Sequence, residues 1–136
     1  MQAAVLTGPG TVALTRVPVP QPGEGEVRVR LAGCGVCASN LTPWAGPEWM
    51  TYPTSPGELG HEGWGVVEAL GPGVEGLAVG TSVAALSFRS YAEADIALAD
   101  MVVKLPPTLA RRPLPRQPPG SAFNTFRRPA LRPSPT

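Results

Sequence analysis

Gly25-Glu26-Val27-Arg28-Val29-Arg30-Leu31 alternates apolar and charged residues without a break, the period of an extended strand with one face in a core and the other in water. Val27, Val29 and Leu31 fall on the apolar face, and Glu26, Arg28 and Arg30 on the polar one. A helix would scatter these residues around its circumference. Upstream, residues 3–7 and 12–17 are apolar-rich runs joined by Gly8-Pro9-Gly10, a hairpin signal, and Pro18, Pro20 and Pro22 then end ladder pairing. Downstream, residues 65–70 read as a strand closed by Gly71-Pro72-Gly73, followed by strands at 81–86, 91–98 and 101–105 before Pro106-Pro107. Residues 37–45 predict one helical turn or two, with Ser39 and Asn40 as cap-type residues. The Gly/Pro-interrupted stretch from 44 to 59, with Trp44 and Trp49, predicts a loop that either covers a pocket or seals the sheet. The fold class is therefore mainly β, a small barrel or sandwich with short helical segments. No internal repeat or heptad is apparent, and no nucleotide-binding unit, with its Gly-x-Gly-x-x-Gly after a strand, is expected.

At 136 residues the chain is one domain, long enough to bury roughly two-thirds of its unfolded surface. Its net charge of +1 hides a split. All ten acidic residues lie within 1–100 beside four basic ones, a formal −6, whereas residues 101–136 hold Lys104 and six arginines with no acid. Those arginines are interleaved with prolines instead of sharing a helical face, so residues 111–136 read as a solvated Pro/Arg-rich tail and not as a nucleic-acid or membrane patch. Neither a signal peptide nor an apolar run long enough to span a bilayer is read, so a cytoplasmic chain with no membrane partner is expected. In such a compartment its two cysteines are thiols or metal ligands before they are a disulfide.

The chemistry-bearing residues are few. Cys37, the single histidine His61 and its neighbour Glu62 offer thiolate, imidazole and carboxylate, the three donor types from which catalytic zinc sites draw their ligands. Ser39 stands two residues beyond Cys37, where a hydroxyl could pass a proton outward. Other readings of the same residues stay open. His61 can be a satisfied polar residue of a β-rich core, and Glu62 can be a buried carboxylate paired with Arg89. Cys34-Gly-Val-Cys37 spells a redox Cys-x-x-Cys, though without the βαβ setting such a pair needs; a small buried side chain suits Cys34 better.

Gly35-Val36-Cys37-Ala38-Ser39 and Gly60-His61-Glu62-Gly63, followed by Gly71-Pro72-Gly73-Val74 and Val79-Gly80, resemble the N-terminal domain of the zinc-dependent medium-chain alcohol dehydrogenases. The resemblance covers residues 1–110 and weakens after them. It implies a GroES-like β-barrel whose intact relatives join it to a Rossmann domain and move hydride between an alcohol or aldehyde and NAD(P). It also implies zinc ligands at Cys37 and His61, a supporting or transient ligand at Glu62 and a proton relay at Ser39. The family's third ligand, usually cysteine, falls on Ser121, a poor zinc donor. Asn40 stands where many members carry an aspartate supporting the ligand histidine, and an amide cannot offer the imidazole the same charge. Residues 111–136 are then a remnant of the segment bridging to an absent Rossmann domain, which would leave Phe123, Phe126 and Leu131 without cover. The expectation is a truncated catalytic domain that holds no NAD(P) and turns over nothing alone. It would self-associate or pair with a separate nucleotide-binding chain; the alternative is a non-enzymatic GroES-like remnant or partner-binding module.

Overall fold

The alternating stretch is an inner strand of an antiparallel sheet. The computed structural model describes residues 1–109; the tail at 111–136, with Ser121, Phe123, Phe126 and Leu131, lies outside the described residues. Strands β1 (Gln2–Gly8) and β2 (Thr11–Arg16) form the hairpin around Gly8-Pro9-Gly10, and β3 is Glu26–Cys34. A 3-10 turn at Ala38–Asn40 runs into a one-turn helix, α1 (Leu41–Ala45), and β4 (Gly63–Leu70), β5 (Ser82–Ala85), β6 (Ala94–Leu98) and β7 (Val102–Lys104) come after it. The sheet order is β6-β3-β4-β5-β7, with β1-β2 as a separate two-stranded ladder.

The two ladders touch through residues 91–93. Ala3 bridges Ala92, Ala4 N–H donates to the Tyr91 carbonyl and Glu93 N–H to that of Gln2, at 2.8 and 3.0 Å. On its other side Glu93 accepts from Leu31 N–H. The strand expected over 91–98 is thus divided: its first residues reach out to β1, and Ala94–Leu98 pairs along β3. Among the described residues the paired strands do not run round into a closed ring.

Alternation becomes packing: Val27 and Val29, on the expected apolar face, are 0–1% exposed and form the core with Val67, Val83, Ala85 and Ala97, while Leu31 is only partly buried against it. Burying each such valine contributes about 1.5–3 kcal/mol. On the opposite face of β3 and β4, Arg28 Nε meets Glu68 Oε2 at 2.9 Å. Glu68 is also the unpaired residue of a bulge, because Arg28 faces Ala69 while Val29 faces Val67. A second bulge leaves Ala32 unpaired, between Leu31 facing Gly65 and Gly33 facing Trp64. Bulges bend a strand and re-aim the residues beyond them, which here are Cys34, Gly35 and Cys37.

The expected hairpin forms, with β2 solvent-facing, Val12 52% and Leu14 69% exposed. One sequence expectation is corrected: a literal Gly-x-Gly-x-x-Gly is present after a strand, at Gly71-Pro72-Gly73-Val74-Glu75-Gly76. It forms the connection from β4 toward β5, with Gly73 and Gly76 in the left-handed region at φ 74° and 73°. No helix comes after it among the described elements before β5, so no helix N-terminus exists there to hold a pyrophosphate.

Candidate metal centre

The β3 bulge and the start of β4 bring the sequence-predicted ligands together. Gly35 N–H donates to the Glu62 carbonyl at 3.0 Å, extending the β3–β4 ladder by one rung and setting residues 35–37 beside 61–62. One donor atom each from Cys37, His61 and Glu62 lies within 4.8 Å of the others. Bond lengths of about 2.0–2.3 Å around tetrahedral zinc put donors roughly 3.3–3.8 Å apart, a contraction that side-chain rotation can supply. The donor set, one thiol, one imidazole and one carboxylate, fits zinc. Ser39, the fourth sequence-predicted site residue, stands in the exposed 3-10 turn beside Cys37.

The environment of each ligand has an identifiable cause. Hydrogen bonds from Ser39, its hydroxyl first and then its backbone, hold the Cys37 thiol below the ordinary range, which favours the metal-binding thiolate. Cys34, facing inward, is pushed up to about 11, chiefly by burial, and stays a thiol. The Cys-x-x-Cys is therefore electrostatically divided. Glu62 is 3% exposed and packs so closely on Gly35 that a Cβ there would overlap its Oε2. It makes no ion pair with Arg89 among the described residues, and the backbone N–H of Arg89 donates instead to Asp95 Oδ2 at 2.9 Å.

His61 is oriented by its own chain. Its Nδ1 lies 2.9 Å from the Leu59 carbonyl. A carbonyl only accepts, so the ring hydrogen sits on Nδ1 and the Nε2 lone pair is free for a metal. Leu59 is the described non-glycine residue with positive φ, 76°, a conformation costing about 1–2 kcal/mol. Asn40 does not face the imidazole. Its Nδ2 donates to the same Leu59 carbonyl at 3.0 Å, while its Oδ1 accepts from Cys37 N–H at 3.1 Å and Tyr91 O–H at 3.0 Å.

Around these lies a support that sequence reasoning missed. The flanking glycines of Gly60-His61-Glu62-Gly63 are fixed by packing: a Cβ at Gly60 would meet the backbone of Ser90 and Tyr91, and one at Gly63 would lie 2.7 Å from Ser90 Oγ. Ser90 N–H donates to the Gly60 carbonyl at 3.0 Å. Ser90 in turn belongs to a buried polar group in which its Oγ lies 2.7 Å from Ser87 Oγ and donates to Asp95 Oδ2 at 3.2 Å. The two glycines around His61 were the available hint that another segment approaches there; nothing pointed to residues 87–95.

A cleft of about 770 Å³ opens beside the centre, walled by the hairpin, β3 and α1; of the stretch from 44 to 59 only its ends, Trp44, Glu58 and Leu59, line it. Trp49 does not line it and is 69% exposed. Cys37 and His61 are not in its wall either; Asn40, Leu59 and Tyr91 separate them from it. No helix of the described residues is long and apolar enough to cross a membrane.

The chain is similar to L-threonine 3-dehydrogenase of Pyrococcus horikoshii, 40% identical over 85 residues that make up 61% of this chain and 24% of the relative. It is also similar to an alcohol dehydrogenase of Geobacillus stearothermophilus, 47% identical over 64 residues, 47% of this chain and 19% of the relative. Among solved structures, the human synaptic vesicle membrane protein VAT-1 homolog-like protein superposes with a TM-score of 0.69 at 32% identity, over 80% of this chain and 36% of that one. The chain spans about a quarter or less of the length of these two curated relatives. The family model of the alcohol dehydrogenase GroES-like domain matches residues 23–107, which take in β3 to β7 and the whole Cys37–His61–Glu62 cluster. By that match, and by the sheet and cluster it covers, the chain belongs to the alcohol dehydrogenase GroES-like domain family.

Proposed function

We propose that this domain binds one zinc ion through Cys37, His61 and Glu62 and serves zinc-assisted, NAD(P)-dependent interconversion of a small alcohol and its aldehyde or ketone. The observation that carries the reading is the convergence of three metal-donor types within 4.8 Å. A bound zinc supplies Lewis acidity toward an alcohol or carbonyl oxygen. The Cys37 thiol, already acidified by its neighbours, gives up its proton to become a donor. Nε2 of His61 is left free by the Nδ1–H bond to Leu59, and the Glu62 carboxylate closes the third side. Ser39, exposed in its turn, takes the substrate proton toward solvent. The nicotinamide cofactor comes from a nucleotide-binding unit outside the described residues, on this or a separate chain. Residues 1–136 alone are accordingly expected to give no detectable turnover, since hydride transfer needs both reactants held in one geometry.

Zinc content per purified chain, with Cys37→Ala as control, tests the site: near one equivalent in the parent and near zero in the variant is expected. Folded parent protein free of zinc would overturn it. Alcohol oxidation with added NAD(P) by the isolated chain, abolished by Cys37→Ala, would overturn the dependence on another unit. Co-purification from cell extract tests for a separate nucleotide-binding chain.

A second reading, a non-enzymatic GroES-like module, is favoured by one observation. The large cleft bypasses Cys37 and His61 and is lined largely by apolar side chains such as Val12, Leu14 and Trp44. Zinc-free, folded, monodisperse protein supports this reading against the first.

A further inference from the structure

The residues between the cleft and the cluster are joined by hydrogen bonds whose directions are all determined. Tyr91 is partly buried, and that burial pushes its phenol up to about 12, so it carries its proton at any physiological pH and acts as a donor. Its hydroxyl lies 3.0 Å from Asn40 Oδ1 and 3.3 Å from the Gly35 carbonyl. Asn40 Oδ1 also accepts Cys37 N–H at 3.1 Å, which fixes the amide orientation with Nδ2 toward the Leu59 carbonyl at 3.0 Å. That carbonyl, turned by the left-handed backbone of Leu59, also accepts the ring hydrogen of His61. One chain of bonds therefore runs from Tyr91 through Asn40 to both proposed ligands, reaching Cys37 by its backbone and His61 by its imidazole.

Building on the zinc reading above, we propose that Tyr91, Asn40 and the Leu59 carbonyl form one positioning unit, a brace that locks His61 in the Nδ1–H tautomer and holds Cys37 opposite it. The need at position 40 is for a donor and an acceptor in one side chain. An aspartate would turn a carboxylate oxygen toward the Leu59 carbonyl with no proton between them, so a carboxylate here disrupts the brace. The strained backbone of Leu59 is consistent with such a role, since cost at one residue persists only where its surroundings over-determine it. Ligand-orienting partners of this kind typically change metal affinity 10–100-fold when removed.

Two measurements test the brace. In metal-free full chain at about pH 8.5, where an ordinary histidine is neutral, the ring ¹⁵N shifts of His61 report its tautomer directly, without interference, because the chain has a single histidine. Nδ1–H is expected; a ring protonated on Nε2 overturns the proposal. Zinc affinity by chelator competition is expected to fall 10–100-fold in Asn40→Ala, by a similar factor in Asn40→Asp, and severalfold in Tyr91→Phe, which keeps the ring and loses only the hydroxyl. Binding within threefold of the parent in folded Asn40→Ala and Tyr91→Phe, or tighter binding in Asn40→Asp, overturns it. If the parent takes up no zinc, the metal reading fails, and the tautomer of metal-free His61 still decides the brace. Should the alanine variant not fold, Tyr91→Phe and the tautomer remain.

Discussion

The β3–β4 core and the region above it are built by different physics. Below, four valines and two alanines pack without a polar side chain among them, and the ladder needs only that successive side chains alternate. Above, between Gly35 and Gly63 and across to residues 87–95, the chain is held mainly by directed bonds to carbonyls, amides and hydroxyls separated by up to 56 residues. Hydrophobic burial is tolerant of detail, whereas a hydrogen-bonded arrangement loses its geometry when one partner goes. The candidate metal centre of Cys37, His61 and Glu62 sits in the second kind of structure, resting on the first.

The contrast is broken most severely at the boundary. Gly65→Val would drive a Cβ into the Arg30 carbonyl and the neighbouring backbone and is expected to cost about 3 kcal/mol, visible in urea unfolding as a lower midpoint. Ser90→Ala should cost about 1–2 kcal/mol by stripping a buried partner from Ser87 and Asp95. Its distinguishing result is a zinc affinity that falls with it, because the Ser90 hydroxyl also packs against Gly63, next to Glu62; unchanged zinc binding would show the Ser87–Ser90–Asp95 group to be independent of the candidate ligands.

Two thiols sharpen the comparison without disturbing it. Cys37 lies below the ordinary thiol value, whereas Cys34 is raised from 9.0 to about 11, so their thiolate populations near neutral pH differ at least about 100-fold. The weaker intrinsic nucleophilicity of the more acidic thiol offsets roughly half of that on a logarithmic scale. Iodoacetamide should therefore modify metal-free Cys37 about tenfold faster, by peptide mass mapping, with the gap narrowing in Ser39→Ala. Equal rates would remove the electrostatic division. Stability depends on the inner thiol in the opposite sense. With a folded pKa of about 11 against 9.0 unfolded, the native state holds the proton longer, so this contribution is intact below pH 9 and declines as pH rises toward 11. The loss is on the order of 1 kcal/mol after allowing for partial exposure, and thermal melts of Cys34→Ala should decline less steeply over that window. The smallest effect belongs to Leu14→Ser on the exposed hairpin face, expected within about 0.5 kcal/mol; a larger loss would mean that strand is covered by something.

Legibility in the sequence divides along the same line. Val27 and Val29 announce their burial through spacing alone, and the cluster of Cys37, His61 and Glu62 is legible because so few residue types can serve as metal donors. Strand bounds shifted by one to three residues at most ends, the largest shifts being the extension of β3 to Cys34 and the loss of residues 91–93 from β6. The brace left no comparable trace. Leu59 looks like an ordinary apolar residue and carries its role in its backbone. Tyr91 reads as one more strand aromatic, and the partners of Ser87 and Asp95 are set by a turn whose geometry no periodicity encodes. Asn40 stood out only as a departure from a family pattern, and the sequence could not show that its amide faces a carbonyl instead of the histidine.

The pairing of residues 2–4 with 91–93 also has a consequence for the birth of the protein. On the ribosome the first strand emerges with its hairpin partner but without the segment that ties it to the main sheet, since Ala3 must wait for Ala92. At about 5–20 residues per second that delay is roughly 5–18 seconds. Tyr91 arrives in the same moment, so the step that docks the N-terminus is also the step that can complete the support of His61. Until then Ala3, Val5 and Leu6, buried in the finished fold, wait without their full cover.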